Sequence, residues 1–190
     1  NTTLAAAVKQ YMNELFGAKG LVSINNENRV LKSLFKKKKK KDLLENAAEK
    51  IVAETSASLE NLGYKTQIHA RNINFFYLDE NLRERIEKIG EKYTVVNTDL
   101  SFSEAEMLEI LEKTPEKISP NVVLRPIYQE TILPNLAYLG GPSEVCYWLQ
   151  LKDILEHHQV QFPILLPRNL GLAINEGTKK RMEKLGVEAE

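Results

Sequence analysis

The fold is decided by three stretches of the sequence: "NVVLRPI" at 121–127, "SEVCYWLQLKDILEH" at 143–157 and "FPILLP" at 162–167. The first and third are apolar runs with β-branched residues, which are typical of buried strands. The middle stretch repeats its apolar residues at helical spacing. Because a strand, a helix and a strand follow one another, the sequence predicts two parallel strands joined by a right-handed crossover. The expected fold class is therefore α/β.

Composition restricts the classes of function. The 190 residues are 43% hydrophobic and 27% charged, as in ordinary globular domains. The 26 basic residues balance the 26 acidic residues, so the net charge gives no indication of a nucleic-acid partner. Cys146 is the only cysteine, so no internal disulfide can form, which suits a cytoplasmic location. No apolar run is long enough to cross a membrane, and we expect no membrane partner.

The chain before residue 119 mixes helical and extended patterns. An opening helix, capped by Asn1 or Thr2, leads to an apolar run at 21–24 that predicts a buried strand. A later helix is expected to end at Gly63. Runs rich in β-forming residues then predict strands over 65–70, 72–78 and 93–98. The pattern at 82–89 fits both a strand and a short helix, and the strand is favoured. Ser103 and Glu106 have the spacing of a capping box, which predicts a helix beginning there.

Six consecutive lysines occupy residues 36–41. Because like charges repel one another, we expect this run to lie in solvent. A basic patch for nucleic acid is the alternative. No aromatic or arginine residue interleaves the lysines, as nucleic-acid surfaces usually require, so the solvated interpretation is favoured.

The glycine pair Gly140-Gly141 precedes the helix predicted from Ser143. Glycines let another group approach the backbone closely, and helix N-termini bind anions through free amide groups. However, Glu144 already places a negative charge in the first turn. It would repel a phosphate but could hold an amine. A tight loop before a well-capped helix is the alternative.

Two arginines are candidates for binding an anion. Arg125 lies in a β-rich run, and a buried arginine must be paired. Its partner is either Glu130, which follows Gln129 in the sequence, or the carboxylate or phosphate of a ligand. Arg168 follows the strand at 162–167, and ligands of open α/β sheets bind beyond the strand ends. A surface arginine is the alternative for Arg168.

Tyr147 and Trp148 lie on the same helical stripe as Glu144. Core packing is the simpler explanation of such a stripe, but the polar tips of these rings also suit a pocket wall. The neighbouring Cys146 reads as a small buried hydrophobe rather than a nucleophile. The histidines at 157 and 158 point about 100° apart on a helix. With no Cys/His cluster at zinc spacing, the sequence predicts no metal site.

Several long blocks together resemble the bacillithiol-biosynthesis cysteine-adding enzymes, a family of cysteine ligases. The longest is "SPNVVLRPIYQETILPNLAYLGGPSEVCYWLQLKDILE", followed by "FPILLPRN". The other blocks, in chain order, are "NTTLAAAVKQYMNELFGAKGLVSI", "RNINFFYL", "LRERIE" and "VNTDLSFSEAEMLEIL". The resemblance covers nearly the whole chain and is specific, because the blocks occur in the family's order.

The resemblance implies a Rossmann-like core similar to class I aminoacyl-tRNA synthetases, with an inserted α+β segment and the start of a coiled coil. Family members are much longer, so the chain is expected to be their central fragment and to be inactive alone. The implied divisions are 1–41 and 119–175 for the core, 42–118 for the insert and 176–190 for the entry to the coiled coil. That coiled coil implies a homodimer.

The resemblance also implies a reaction. L-cysteine would be added to glucosaminyl-malate through an amide bond, with ATP activating the carboxylate by analogy with the synthetases. Arg125 and Arg168 would hold carboxylate or phosphate groups. Glu144 would hold an amine, and the glycine pair would admit the ligand to the backbone. A non-catalytic scaffolding protein on a degenerate synthetase-like core is the alternative, and we expect no nucleic-acid partner.

Overall fold

The computed structural model describes residues 3–25 and 28–187. The helices are α1 (Leu4–Phe16), α2 (Arg29–Leu34), α3 (Lys36–Glu45), α4 (Ala48–Asn61), α5 (Glu104–Lys113), α6 (Arg125–Ile132), α7 (Pro142–Gln150), α8 (Lys152–His157) and α9 (Glu176–Leu185). The strands are β1 (Phe75–Asp79), β2 (Leu82–Ile89), β3 (Lys92–Val95), β4 (Ser101–Ser103), β5 (Ile118–Pro120), β6 (Ala137–Gly140) and β7 (Ile164–Pro167). Among the described residues, none of the helices is both long enough and apolar enough to span a bilayer.

The parallel strand pair is present, but its first strand is not the predicted one. β6 pairs in parallel with β7, and α7 and α8 lie between them in the chain. The predicted strand at 121–127 was wrong. There the Asn121 side chain accepts hydrogen bonds from the N–H groups of Val123 and Leu124, at 2.9 and 3.4 Å. This turn starts α6, so the apolar run is buried as a helix start instead of a strand.

The predicted β-rich region forms an antiparallel sheet with the order β4-β3-β2-β1-β5. The strand prediction for 82–89 is confirmed, as is the capping box that starts α5: the Ser103 N–H donates to Glu106 Oε2 at 2.7 Å. The opening helix is capped by Thr3, whose Oγ1 accepts from the Ala6 N–H at 3.2 Å. Its predicted caps, Asn1 and Thr2, lie outside the described residues.

Two other predicted strands were wrong. Residues 21–24 form no regular secondary structure and belong to neither described sheet, and Val22 is 79% exposed. Residues 65–70 also form no strand, and a side chain pairs with part of their backbone. The buried Gln150 accepts from the N–H groups of Gln67 and Ile68, at 2.7 and 3.2 Å, and donates to the Ile68 carbonyl at 3.0 Å. One amide side chain thus replaces a strand partner here.

The lysine run forms α3, and the prediction that it lies in solvent was wrong. Lys39 is fully buried, and its ammonium donates to the carbonyl oxygens of Pro115 and Ile118, at 2.7 and 2.6 Å. Lys32 lies on α2, is also buried and donates to the Glu116 carbonyl at 2.9 Å. These carbonyls lie after α5, in the 3-10 turn Pro115–Lys117 and at Ile118, the first residue of β5.

A second face of α3 holds the end of another helix. Lys38 and Lys41 donate to the carbonyl oxygens of His158 and His157, at 2.8 and 2.7 Å. Both carbonyls lie at the C-terminal end of α8. Only two of the six lysines, at 37 and 40, are exposed as predicted. We call these two sets of contacts the lysine clamp. Helix periodicity divides the run of lysines between two faces, so α3 joins the segment after α5 to the end of α8.

We expect Lys39→Met to lower the free energy of unfolding by about 2 kcal/mol, because two buried carbonyls lose their donor. Urea denaturation at neutral pH measures the change. The matched control is Lys37→Met, in an exposed position of the same helix, which should change stability by less than about 0.5 kcal/mol. Equal losses for the two variants would contradict the clamp.

The same lysine makes stability depend on pH. Burial, with the charge of Lys32 as the next cause, lowers the pKa of Lys39 from 10.5 to about 7. Between these values the unfolded chain binds a proton that the folded chain has released, so unfolding becomes less favourable as pH rises. We expect the free energy of unfolding of the wild type, relative to Lys39→Met, to increase from pH 7 towards 10. If the difference in unfolding free energy between the wild type and Lys39→Met stays constant from pH 7 to 10, burial does not lower the pKa of Lys39.

Candidate functional site

The candidate site lies where β6 and β7 end. β6 ends at Gly140, and the next residue, Gly141, is the N-cap of α7. Beyond β7, the Arg168 N–H donates to the Gly140 carbonyl at 2.9 Å, which continues the parallel pairing by one bond. The first turn of α7 and the arginine after β7 are therefore held side by side. This is the strand-end position at which ligands of open α/β sheets bind.

Glu144 occupies the centre of the site. Its Oε2 accepts from the Gly141 N–H at 2.7 Å, and its Oε1 accepts from the Tyr138 hydroxyl at 3.2 Å. The Arg168 guanidinium lies 3.6 Å away. The pKa of Glu144 is lowered, chiefly by the hydrogen bond from the Gly141 N–H. Burial opposes this shift, and Tyr138, Arg168 and Arg125 make smaller contributions that lower the pKa. The carboxylate is therefore ionised and fixed in direction.

Arg125 lies on the first turn of α6 rather than in a strand. Its guanidinium donates to Gln129 Oε1 at 3.1 Å and to the Tyr147 hydroxyl at 3.2 Å. The predicted ion pair with Glu130 was wrong. The buried Glu130 accepts instead from the N–H and the side-chain amide of Asn135, both at 2.8 Å. Arg125 is thus half-buried beside neutral partners, which leaves its charge available to an anion.

The two glycines permit close approach, as predicted, but the groups that approach are side chains of the chain itself. A Cβ on Gly141 would lie 2.9 Å from Nη2 of Arg168, and a Cβ on Gly140 would lie 2.9 Å from Cε1 of Tyr138. Neither glycine has a positive φ. Their role is therefore to leave room for Arg168 and Tyr138 against the backbone, rather than to supply an unusual conformation.

The two aromatic candidates have different positions. Tyr147 is half-buried, and its hydroxyl contacts Arg125. Trp148 is fully buried, with its ring 4.5 Å from Tyr138 and 6.1 Å from Phe162. Trp148 is therefore a core residue, which was the alternative interpretation of the helical stripe. Its ring packs beneath Tyr138. Among the described residues its indole N–H has no hydrogen-bond partner.

Tyr138 is the site residue that the sequence did not indicate. The sequence analysis placed the strand before α7 at 121–127, so it did not recognise residues 137–140 as a strand. The position of Tyr138 beside Glu144 was missed for that reason. The pKa of Tyr138 is raised, chiefly by burial and then by hydrogen bonding with Tyr147. The phenol therefore stays protonated and can donate to Glu144.

The remaining candidates lie elsewhere. The His157 ring contacts Glu45 at 3.0 Å, and the buried His158 lies 3.8 Å from Asp42, so both histidines belong to the lysine clamp region. Cys146 is partly buried on α7. Within 3–25 and 28–187 no group of three or more acidic, histidine or cysteine side chains could hold a metal ion.

The parallel strands joined through α7 and α8, with a charged cluster beyond their carboxyl ends, make this an α/β domain. The sequence matches the family described as "Bacillithiol biosynthesis BshC, N-terminal Rossmann-like domain" over residues 1–169. The chain belongs to this family. The match confirms the resemblance and the predicted fold class, whereas the divisions at 42–118 and 119–175 and the coiled-coil entry stay predictions.

Curated relatives agree with the family assignment. The "Putative cysteine ligase BshC" of Flavobacterium psychrophilum is 46% identical over 98% of this chain and 35% of the relative. The proteins of the same name from Cytophaga hutchinsonii and Staphylococcus aureus (strain MRSA252) are 42% and 33% identical, over 98% and 96% of this chain and 36% and 34% of the relatives. The chain thus spans about a third of the length of the curated relatives it matches.

We expect Gly141→Ala to leave the fold intact but to push Arg168 away from Glu144, because the new methyl group meets the mobile end of a side chain. The pKa of Glu144 should then rise, since one positive charge moves away. Carbon-13 NMR of the glutamate carboxyl groups measures the titration.

Gly171→Ala is the control, because a Cβ at Gly171 meets nothing within 4 Å. It should leave the titration of Glu144 unchanged. A Gly141→Ala chain that titrates like the control would show that Arg168 does not depend on the bare backbone at Gly141.

Proposed function

We propose that this protein acts in adding L-cysteine to glucosaminyl-malate through an amide bond, as a cysteine ligase of bacillithiol biosynthesis. The observation that carries the proposal is the ionised Glu144 placed near two guanidiniums at the carboxyl ends of parallel strands. Such a cluster suits a ligand with both a positive amine and a negative carboxylate. The names of the relatives, as cysteine ligases, support the choice of substrate.

The proposed roles follow from the contacts. Glu144 receives the ammonium of the amino acid, because its two oxygens are already aimed by Gly141 and Tyr138. Arg125 receives a carboxylate or phosphate, because its present partners, Gln129 and Tyr147, are neutral. A planar guanidinium can bind either anion with two parallel hydrogen bonds.

Three further parts of the proposal concern the wider protein. ATP would activate the carboxylate, as in the synthetases that share the fold class, and Arg168 would contact its phosphates. Turnover would need sequence that the relatives carry beyond the matched third, so the chain alone would bind without reacting. The helix α9, from Glu176 to Leu185, would lead into a coiled coil that forms a homodimer. We expect the protein to work in the cytoplasm.

Trp148 is the only tryptophan and packs against Tyr138 behind the site, so its fluorescence is a suitable probe of binding there. We expect the signal to change as L-cysteine or glucosaminyl-malate is added. Arg125→Gln should weaken the binding of at least one of them by about tenfold or more, because a charge-assisted hydrogen bond is lost.

Arg181→Gln, on the exposed face of α9, is the matched control and should bind like the wild type. If neither substrate changes the fluorescence or the melting temperature, the ligase proposal fails and the scaffolding alternative gains. If Arg125→Gln binds like the control, Arg125 has no part in the site.

A further inference from the structure

We propose that Tyr138 is a positioning residue, which aims the Glu144 carboxylate at the primary ammonium group of an α-amino acid ligand. This inference rests on the proposed function of the site. It adds that Tyr138 makes the site selective for a ligand with an amine. The starting observation is the 3.2 Å hydrogen bond from the Tyr138 hydroxyl to Glu144 Oε1.

The ring of Tyr138 is held on two sides. Trp148 lies against one face, with ring centroids 4.5 Å apart, and the Trp148 side chain is fully buried. The bare Gly140 backbone leaves the space that the ring edge occupies, since a Cβ there would approach Cε1 of Tyr138 to 2.9 Å. A ring fixed in this way holds its hydroxyl at one point.

Each charge of the site is contacted by a tyrosine hydroxyl. Arg125 donates to the Tyr147 hydroxyl at 3.2 Å, and the Tyr138 hydroxyl donates to Glu144 at 3.2 Å. The Gly141 N–H holds the other carboxylate oxygen. Glu144 is therefore held from both sides, and its carboxylate does not turn fully towards Arg168, whose Nη1 lies 3.6 Å from Oε2.

Without the phenol hydroxyl, Oε1 loses its donor and the carboxylate is no longer held in the direction in which it meets the ligand's ammonium. The pKa of Glu144 rises because a hydrogen bond to its charged form is lost, and the ammonium is bound less tightly. A ligand that carries a carboxylate but no amine would be unaffected, because it depends on the guanidiniums. Removing the Tyr138 hydroxyl should therefore reduce the difference in affinity between a ligand with an amine and the same ligand without it.

The test uses Tyr138→Phe, with Tyr64→Phe as an exposed control. The two probes are L-cysteine and 3-mercaptopropionate, which lacks the amine, and isothermal calorimetry on the 190-residue chain measures both affinities. We expect L-cysteine to bind about threefold to tenfold more weakly to Tyr138→Phe, with 3-mercaptopropionate unchanged. Carbon-13 NMR should show Glu144 titrating at higher pH in this variant than in Tyr64→Phe.

An unchanged titration of Glu144 would overturn the positioning role. An equal loss of affinity for both probes would overturn it too, because it would show that Tyr138 only packs against its neighbours. If the titration shifts but the wild type binds neither probe, the link from Tyr138 to Glu144 stands and the proposed function falls. Should Tyr138→Phe melt at a much lower temperature than the wild type, Glu144→Gln replaces it. That variant must also lose the preference for L-cysteine over 3-mercaptopropionate, and a preserved preference would overturn the inference.

Discussion

The candidate site depends on the parallel register of β6 and β7. The hydrogen bond from the Arg168 N–H to the Gly140 carbonyl extends that register past the last paired residues, Gly140 and Pro167. It fixes the arginine after one strand beside the glycine pair after the other. A shift of one residue would turn Arg168 to the opposite face and away from Glu144, because side chains alternate along a strand. The charges meet because the backbone pairing brings them together.

The lysine clamp supports this pairing from a distance. α3 holds the turn after α5 and the end of α8 through lysine-to-carbonyl hydrogen bonds. α8 follows α7 directly and packs against α4. Helix ends with unpaired carbonyls are costly to bury, and a lysine on a flexible stem can satisfy them where a backbone donor cannot reach. The lysine run looks like low-complexity sequence, but its side chains join α3 to α8, the helix that follows α7.

The sequence indicated much of this arrangement and missed some of it for identifiable reasons. The capping box at Ser103, the strand at 82–89 and the second strand of the parallel pair were predictable from local patterns. The position of Arg168 beyond a strand end was predictable too, whereas the strand that leads to Glu144 was placed at 121–127 instead of 137–140. The start of α6 was not, since a turn made by one side chain, Asn121, decides between helix and strand. Nor were the buried lysines, because their partners are backbone carbonyls far along the chain.

The most direct measurement is a crystal structure of the protein with L-cysteine bound. The account requires the ammonium within hydrogen-bond distance of Glu144, and the carboxylate within the same distance of Arg125 or Arg168. The backbone of the Gly140-Gly141 corner should keep its present form. L-cysteine bound at any other surface, with Glu144 and Arg168 closed on each other, would contradict the account.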